Sequence, residues 1–181
     1  MGYQRRTVDD ELDVLMPELA AIALDGAKGV GKTATTERRA ATVLNLDAAS
    51  RRSLVEADPA SVLRPAGPVL IDEWQLVPEV WDVVRRQVDR DPSPAQFLLT
   101  GSANPRAGAT AHSGAGRIVR LRMRPMALAE RGVGPTSVSL TSLLAGRRPA
   151  IECATSFTVA DYVQEILRSG FPGIRALGPA A

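Results

Sequence analysis

Lysine is nearly absent from this chain. Of its 22 basic residues only two are lysines, Lys28 and Lys32, and the rest are arginines. Cysteine occurs once, as Cys153, which excludes an internal disulfide framework and suits a reducing compartment. Cys153 itself reads as a small, half-buried residue. Histidine also occurs once, as His112, in a Gly/Ala/Ser-rich stretch where it is assigned no role. Aromatic residues make up 4% of the chain, and Trp74 and Trp81 read as core and surface packing rather than stacking platforms. No apolar run reaches the ~18 residues of a membrane span. The N-terminus lacks the basic-then-apolar layout of a secretory signal. The expectation is a cytoplasmic protein with no membrane partner. An excess of charge is missing too: 22 bases face 20 acids, a net of +2, so bulk charge implies no polyanion partner.

What is present is enough for a core. Hydrophobic residues are 45% and charged residues 23% of 181, which argues against wholesale disorder and for one α/β domain. Short apolar runs alternate with helical patterns. Strands are expected at Leu19–Leu24, Thr42–Leu46, Val69–Ile71, Gln96–Thr100 and Arg117–Met123. Helices are expected at Val8–Met16, Lys32–Ala41, Ala48–Ala57, Pro78–Arg90 and Thr158–Ser169, with shorter ones at Asp58–Leu63, Pro125–Arg131 and Leu140–Leu144. That order predicts a parallel five-stranded sheet covered by helices on both faces. The tail, Ile174–Ala181, is expected to be poorly ordered.

Both lysines fall in one loop. Gly26-Ala27-Lys28-Gly29-Val30-Gly31-Lys32-Thr33 fits G-x-x-x-x-G-K-[ST], between an expected strand and an expected helix. The glycines let backbone N–H groups curl inward toward phosphate oxygens. Lys32 reaches the β- and γ-phosphates, and the Thr33 hydroxyl goes to Mg²⁺. Lys28 is expected to point to solvent.

The strand Val69-Leu70-Ile71 ends in two acids, Asp72 and Glu73. The carboxyl ends of parallel strands are where open α/β sheets bind ligands. Asp72 there can hold Mg²⁺ through water, and Glu73 can polarise an attacking water as general base. Because Thr42–Leu46 lies between the loop and this pair in sequence, an inserted strand is expected between the two nucleotide-binding strands. Leu98-Leu99-Thr100-Gly101-Ser102-Ala103-Asn104 is a further apolar strand with a polar exit. Thr100, Ser102 or Asn104 can orient the water or touch the γ-phosphate. Arg117, Arg106 and Arg120 are candidates to approach that phosphate, in cis or from a neighbouring subunit; the alternative for Arg117 is pairing with a local acid at the strand edge. Arg120, Arg122 and Arg124 also fall on one strand face and read as a solvated edge pairing with local acids, with DNA binding the weaker alternative.

The motifs GAKGVGKT, VLIDEWQ, LLTGSAN, GAGR-IVRLRMRPMALAE and EILRSGFP together resemble the prokaryotic AAA-type P-loop ATPases that usually carry a C-terminal domain of unknown function. The resemblance runs from about Arg5 to Arg175. It implies a core of the additional-strand AAA type that binds ATP and Mg²⁺. Lys32 and Thr33 would bind nucleotide, Asp72 and Glu73 would serve Mg²⁺ and hydrolysis, Ser102 would act as a sensor-like residue and Arg117 as a finger. The role of Gln75 in the acidic motif stays open. Relative to that family the chain reads as truncated, with an ATP-binding core over 1–134 and the start of a helical extension over 135–181. A homo-oligomer or a separate C-terminal partner would complete it. The alternative is a non-hydrolysing nucleotide-binding switch or remnant module.

Overall fold

The computed structural model describes residues 2–102, 114–133, 138–150 and 156–177. The expected positions Asn104, Arg106, His112 and Cys153 lie outside the described residues. The chain divides into two compact units, one of Arg5–Arg124 and one of Met1–Gln4 with Pro125–Ala181.

The larger unit is built on five parallel strands. They are β1 (Ala21–Gly26), β2 (Thr42–Asn45), β3 (Val69–Asp72), β4 (Phe97–Ser102) and β5 (Ile118–Met123). Their spatial order is β2-β3-β4-β1-β5. Helices α1 (Thr7–Leu15), α2 (Lys32–Glu37), α3 (Ala49–Ala57) and α4 (Glu79–Arg90) flank the sheet. The side-chain period of two sends alternate residues to opposite faces. Ala21, Ala23, Val69, Ile71, Phe97 and Leu99 go to one side, packed with Val55 of α3 and Val80, Trp81, Val84 and Val88 of α4. Ile22, Leu70 and Leu98 go to the other, against Leu12 of α1. The result is a three-layer α/β domain of the P-loop type. Both tryptophans lie in the core, 4.7 Å apart between ring centroids, and neither serves as surface packing.

An inserted strand is present, but it is β4 rather than the Thr42–Leu46 segment. β4 pairs with both β1 and β3, whereas β2 pairs with β3 at the sheet edge. Side-chain burial follows the topology. Val43 and Asn45 of β2 are exposed, and Phe97 through Gly101 of β4 are all buried. The helix expected over Lys32–Ala41 stops at Glu37, and the one expected over Pro125–Arg131 is reduced to a 3₁₀ turn at Ala129–Arg131.

The smaller unit contains α5 (Leu140–Leu144), α6 (Val159–Leu167) and α7 (Pro172–Ala176). Helix α7 occupies part of the tail expected to be poorly ordered; Pro172 at its first position supplies a preset helical φ. Helix α6 starts with a reciprocal cap: Thr158 Oγ1 accepts from the Asp161 N–H, and the Asp161 carboxylate accepts from the Thr158 N–H. Its apolar residues Val159, Val163, Ile166 and Leu167 are exposed, and Glu165 is the buried one. Arginines seat it: Arg175 Nη1 donates to Glu165 Oε2 at 2.8 Å, and Arg131 and Arg168 approach at 3.6 Å. The Arg175 hydrogen bond holds the Glu165 carboxyl below the usual range. A depressed carboxylate adds stability above its unfolded pKa of about 4.3, and that stability is lost as pH falls through the folded value. Glu165→Gln is therefore expected to destabilise this unit at pH 7 by about 2 kcal/mol. It should also blunt the unit's loss of stability in acid. Hydrogen exchange over residues 156–177 of the whole chain reads both effects; unchanged protection at both pH values would contradict them. No helix of the described residues is long and apolar enough to cross a membrane.

Candidate functional site

The strands run parallel and in register, so their carboxyl ends gather at one edge of the sheet. Gly26 pairs with Ser102 and Asp72 with Thr100, which places the loop after β1 and the acids after β3 on either side of the β4 tip. Two strand spacings, about 9–10 Å, separate β1 from β3. The side chains close that gap. Thr33 Oγ1, in the first turn of α2, donates to Asp72 Oδ1 at 2.9 Å. Thr100 Oγ1, from the strand between, donates to the same oxygen. Asp72 and Thr100 are buried, and Thr33 is half-buried.

The loop curls back through Gly29 and Gly31, with φ of 80° and 105°, which L side chains rarely adopt. Lys32 is buried, and its Nζ donates to the carbonyls of Gly26 at 3.0 Å and Ala27 at 3.1 Å. Burial holds the Lys32 ammonium below the usual lysine range, against the pull of Glu73, Asp72 and Asp25. Lys28 is exposed.

One buttress was not visible in the sequence. Arg6, at the N-cap of α1, is 5% exposed. Its Nη1 donates to Val30 O at 3.0 Å and its Nη2 to Arg124 O at 2.8 Å. It ties the phosphate-type loop to the end of β5. Nothing in an arginine pair near a chain start signals a contact with residue 30.

Glu73 follows β3 in the left-handed region, φ 56° and ψ 43°, and a 3₁₀ turn, Trp74–Leu76, comes next. Gln75 Nε2 donates to Glu73 Oε2. Ser102 ends β4 at the same sheet edge. Thr100 is the polar residue of this strand that reaches Asp72.

The arginines are placed differently. Arg117 precedes Ile118, which pairs with Ala21 at the start of β1, so it sits at the sheet end opposite the loop. Its Nε donates to Asp89 Oδ1 of α4 at 2.7 Å. Arg117 is not brought to the site of its own chain. Arg120 lies 3.6 Å from Asp25 Oδ2, with its guanidinium carbon 4.5 Å from the centre of the Trp81 ring. Burial pushes the Asp25 carboxyl up, opposed by Arg120 and Arg122. Arg120 is thus committed to an acid and an aromatic face of its own unit.

The donor set fits a divalent cation on a triphosphate. A threonine hydroxyl and a carboxylate are hard oxygen ligands of the kind Mg²⁺ takes. Among the described residues no group of three or more His, Cys, Asp or Glu is placed to hold a metal. A cation at Thr33 and Asp72 would therefore draw its remaining ligands from phosphate and water.

Residues 19–131 match a family described as the AAA domain. Two curated relatives, uncharacterised proteins of Mycobacterium bovis and Mycobacterium tuberculosis, are each 30% identical over 155 residues, covering 83% of this chain and 35% of the relative. The chain spans about a third of the length of these relatives.

Proposed function

We propose, since the chain belongs to this AAA-domain family, that it is an ATP hydrolase whose site is Gly26–Thr33 with Asp72 and Glu73. Membership makes it a nucleotide-binding domain of the AAA type. The observation that carries the finer reading is the Thr33–Asp72 hydrogen bond, which joins the phosphate-type loop to the acidic strand end across β4. In this reading Lys32 leaves the Gly26 and Ala27 carbonyls for the β- and γ-phosphate oxygens. Thr33 Oγ1 and, through water, the Asp72 carboxylate would hold Mg²⁺. Mg²⁺, when bound, neutralises charge on the β- and γ-phosphates. Water attacks the γ-phosphorus while its proton passes to the Glu73 carboxylate. The new P–O bond forms as the bond to the β–γ bridging oxygen breaks, and ADP leaves with that electron pair. Thr100, hydrogen-bonded to Asp72, holds the acid in place; Ser102 is kept as a sensor-like group at the same edge.

Phosphate release from ATP by the purified chain, with Mg²⁺ and with excess EDTA, tests this. Release in Mg²⁺ that EDTA abolishes is expected. Tight ATP binding with no release in either condition would favour a non-hydrolysing nucleotide switch.

Charge on the transferring phosphoryl group calls for a further cation, and an arginine supplied in trans is worth ~10³–10⁵ in rate. Arg117 lies away from its own chain's loop, so we assign that role to a second copy or a separate partner. Specific activity is expected to rise with protein concentration over a hundredfold range, and Arg117→Ala should flatten the rise if a second copy supplies the finger. A flat, substantial rate in the unmodified chain would mean the site is complete within one chain.

A further inference from the structure

We infer that Gln75 is a positioning residue for Glu73, holding one carboxylate oxygen so that the other is presented to the attacking water. The inference rests on the reading of Glu73 as the base. Three features converge on it. First, the backbone is bent to bring the two side chains together. Glu73 sits in the left-handed region, which is unfavourable for a non-glycine residue, and the Leu76 N–H closes back on Glu73 O at 2.9 Å. A turn of this kind places residues 73 and 75 side by side at the end of β3.

Second, the contact is a donor on an acceptor. Gln75 Nε2 donates to Glu73 Oε2, which stops the carboxylate from rotating about its last torsion. Oε1 is left as the proton acceptor. A general base gains most when its accepting atom is fixed before the substrate arrives.

Third, the neighbouring strand makes room for the amide. A Cβ added at Gly101 of β4 would lie 2.5 Å from Gln75 Oε1 and 2.8 Å from Trp74 Nε1. A side chain at 101 would push the amide aside. Gly101 is thus required by a close approach, and the residue approaching is the one that holds Glu73.

Steady-state hydrolysis by the full chain separates this role from packing. Gln75→Ala is expected to lower kcat about tenfold while the KM for ATP stays within twofold. Gln75→Glu keeps the shape and replaces the donor with an acceptor, so it should lower kcat at least as far at pH 8. Its activity relative to wild type should recover toward about pH 5, where the introduced carboxyl regains a proton to donate. Gly101→Ala, which retains Gln75, should reproduce the Gln75→Ala defect. A packing role predicts instead that Gln75→Glu behaves as wild type at every pH. Gln75→Ala and Gln75→Glu both within twofold of wild type in kcat, beside an inactive Glu73→Gln, would overturn the positioning role and leave Glu73 as the base. An active Glu73→Gln would overturn the reading beneath it. A readout free of turnover checks the contact itself. The Gln75 side-chain amide proton signals should shift in Glu73→Ala, and an unmoved signal contradicts the contact.

Discussion

Lys32→Ala is expected to abolish tight ATP binding, with affinity falling roughly 10²–10⁴-fold. Hydrogen bonds to charged groups contribute about 1.5–3 kcal/mol each, and Lys32 is placed to make contacts to both the β- and γ-phosphates. In the structure its ammonium is buried against the Gly26 and Ala27 carbonyls, and burial depresses its pKa. A depressed lysine means the folded chain disfavours the charged form. The ammonium is therefore held at a cost that a triphosphate would offset. Removing the charge should leave the ligand-free protein about as stable as wild type, while ATP loses its ability to raise the melting temperature. Titration of a fluorescent ATP analogue in Mg²⁺, beside thermal melts with and without ATP, checks both halves. Equal affinities in wild type and variant would remove the loop from the nucleotide site.

Glu73→Gln should leave ATP affinity within about twofold and lower turnover by ~10²–10⁴. The amide keeps the shape of the side chain and an oxygen that can still accept from Gln75 Nε2, so the turn after β3 has no reason to rearrange. What it loses is the capacity to take a proton from water. Binding and phosphate release measured on the same preparation separate the two effects. A variant that releases phosphate as fast as wild type assigns the base elsewhere. A variant that fails to bind shows Glu73 to be part of the nucleotide cradle instead.

Much of this site was legible because its signals are local. The spacing of Gly26, Gly31, Lys32 and Thr33 needs only eight consecutive residues, and an apolar strand ending in Asp72 and Glu73 needs five. Strand order was less legible. Apolar runs report that a strand is buried, not which strand lies beside it, so Thr42–Leu46 was placed between β1 and β3 by its position in the chain. The structure shows it at the edge, with Val43 and Asn45 exposed, and shows β4 as the interior strand, with Phe97–Leu99 buried. Contacts distant in sequence were less legible. Arg6 reaches Val30, which no local pattern signals, and Arg117 reaches Asp89. Thr100 was one of three candidates until the fold set it beside Asp72. The left-handed Glu73 and the Gln75 contact depend on a turn whose residues, Trp, Gln and Leu, carry no turn signature.

We propose that this chain converts ATP to ADP and phosphate at the Thr33–Asp72 junction, with Glu73 as the base. A single-turnover experiment tests it most directly: protein in excess over γ-labelled ATP with Mg²⁺, quenched over time, with bound nucleotide identified. The account predicts that wild type loses the label to free phosphate and retains ADP, while Glu73→Gln retains intact ATP. Intact ATP recovered from wild type after all of it has bound, at every protein concentration tried, would contradict it.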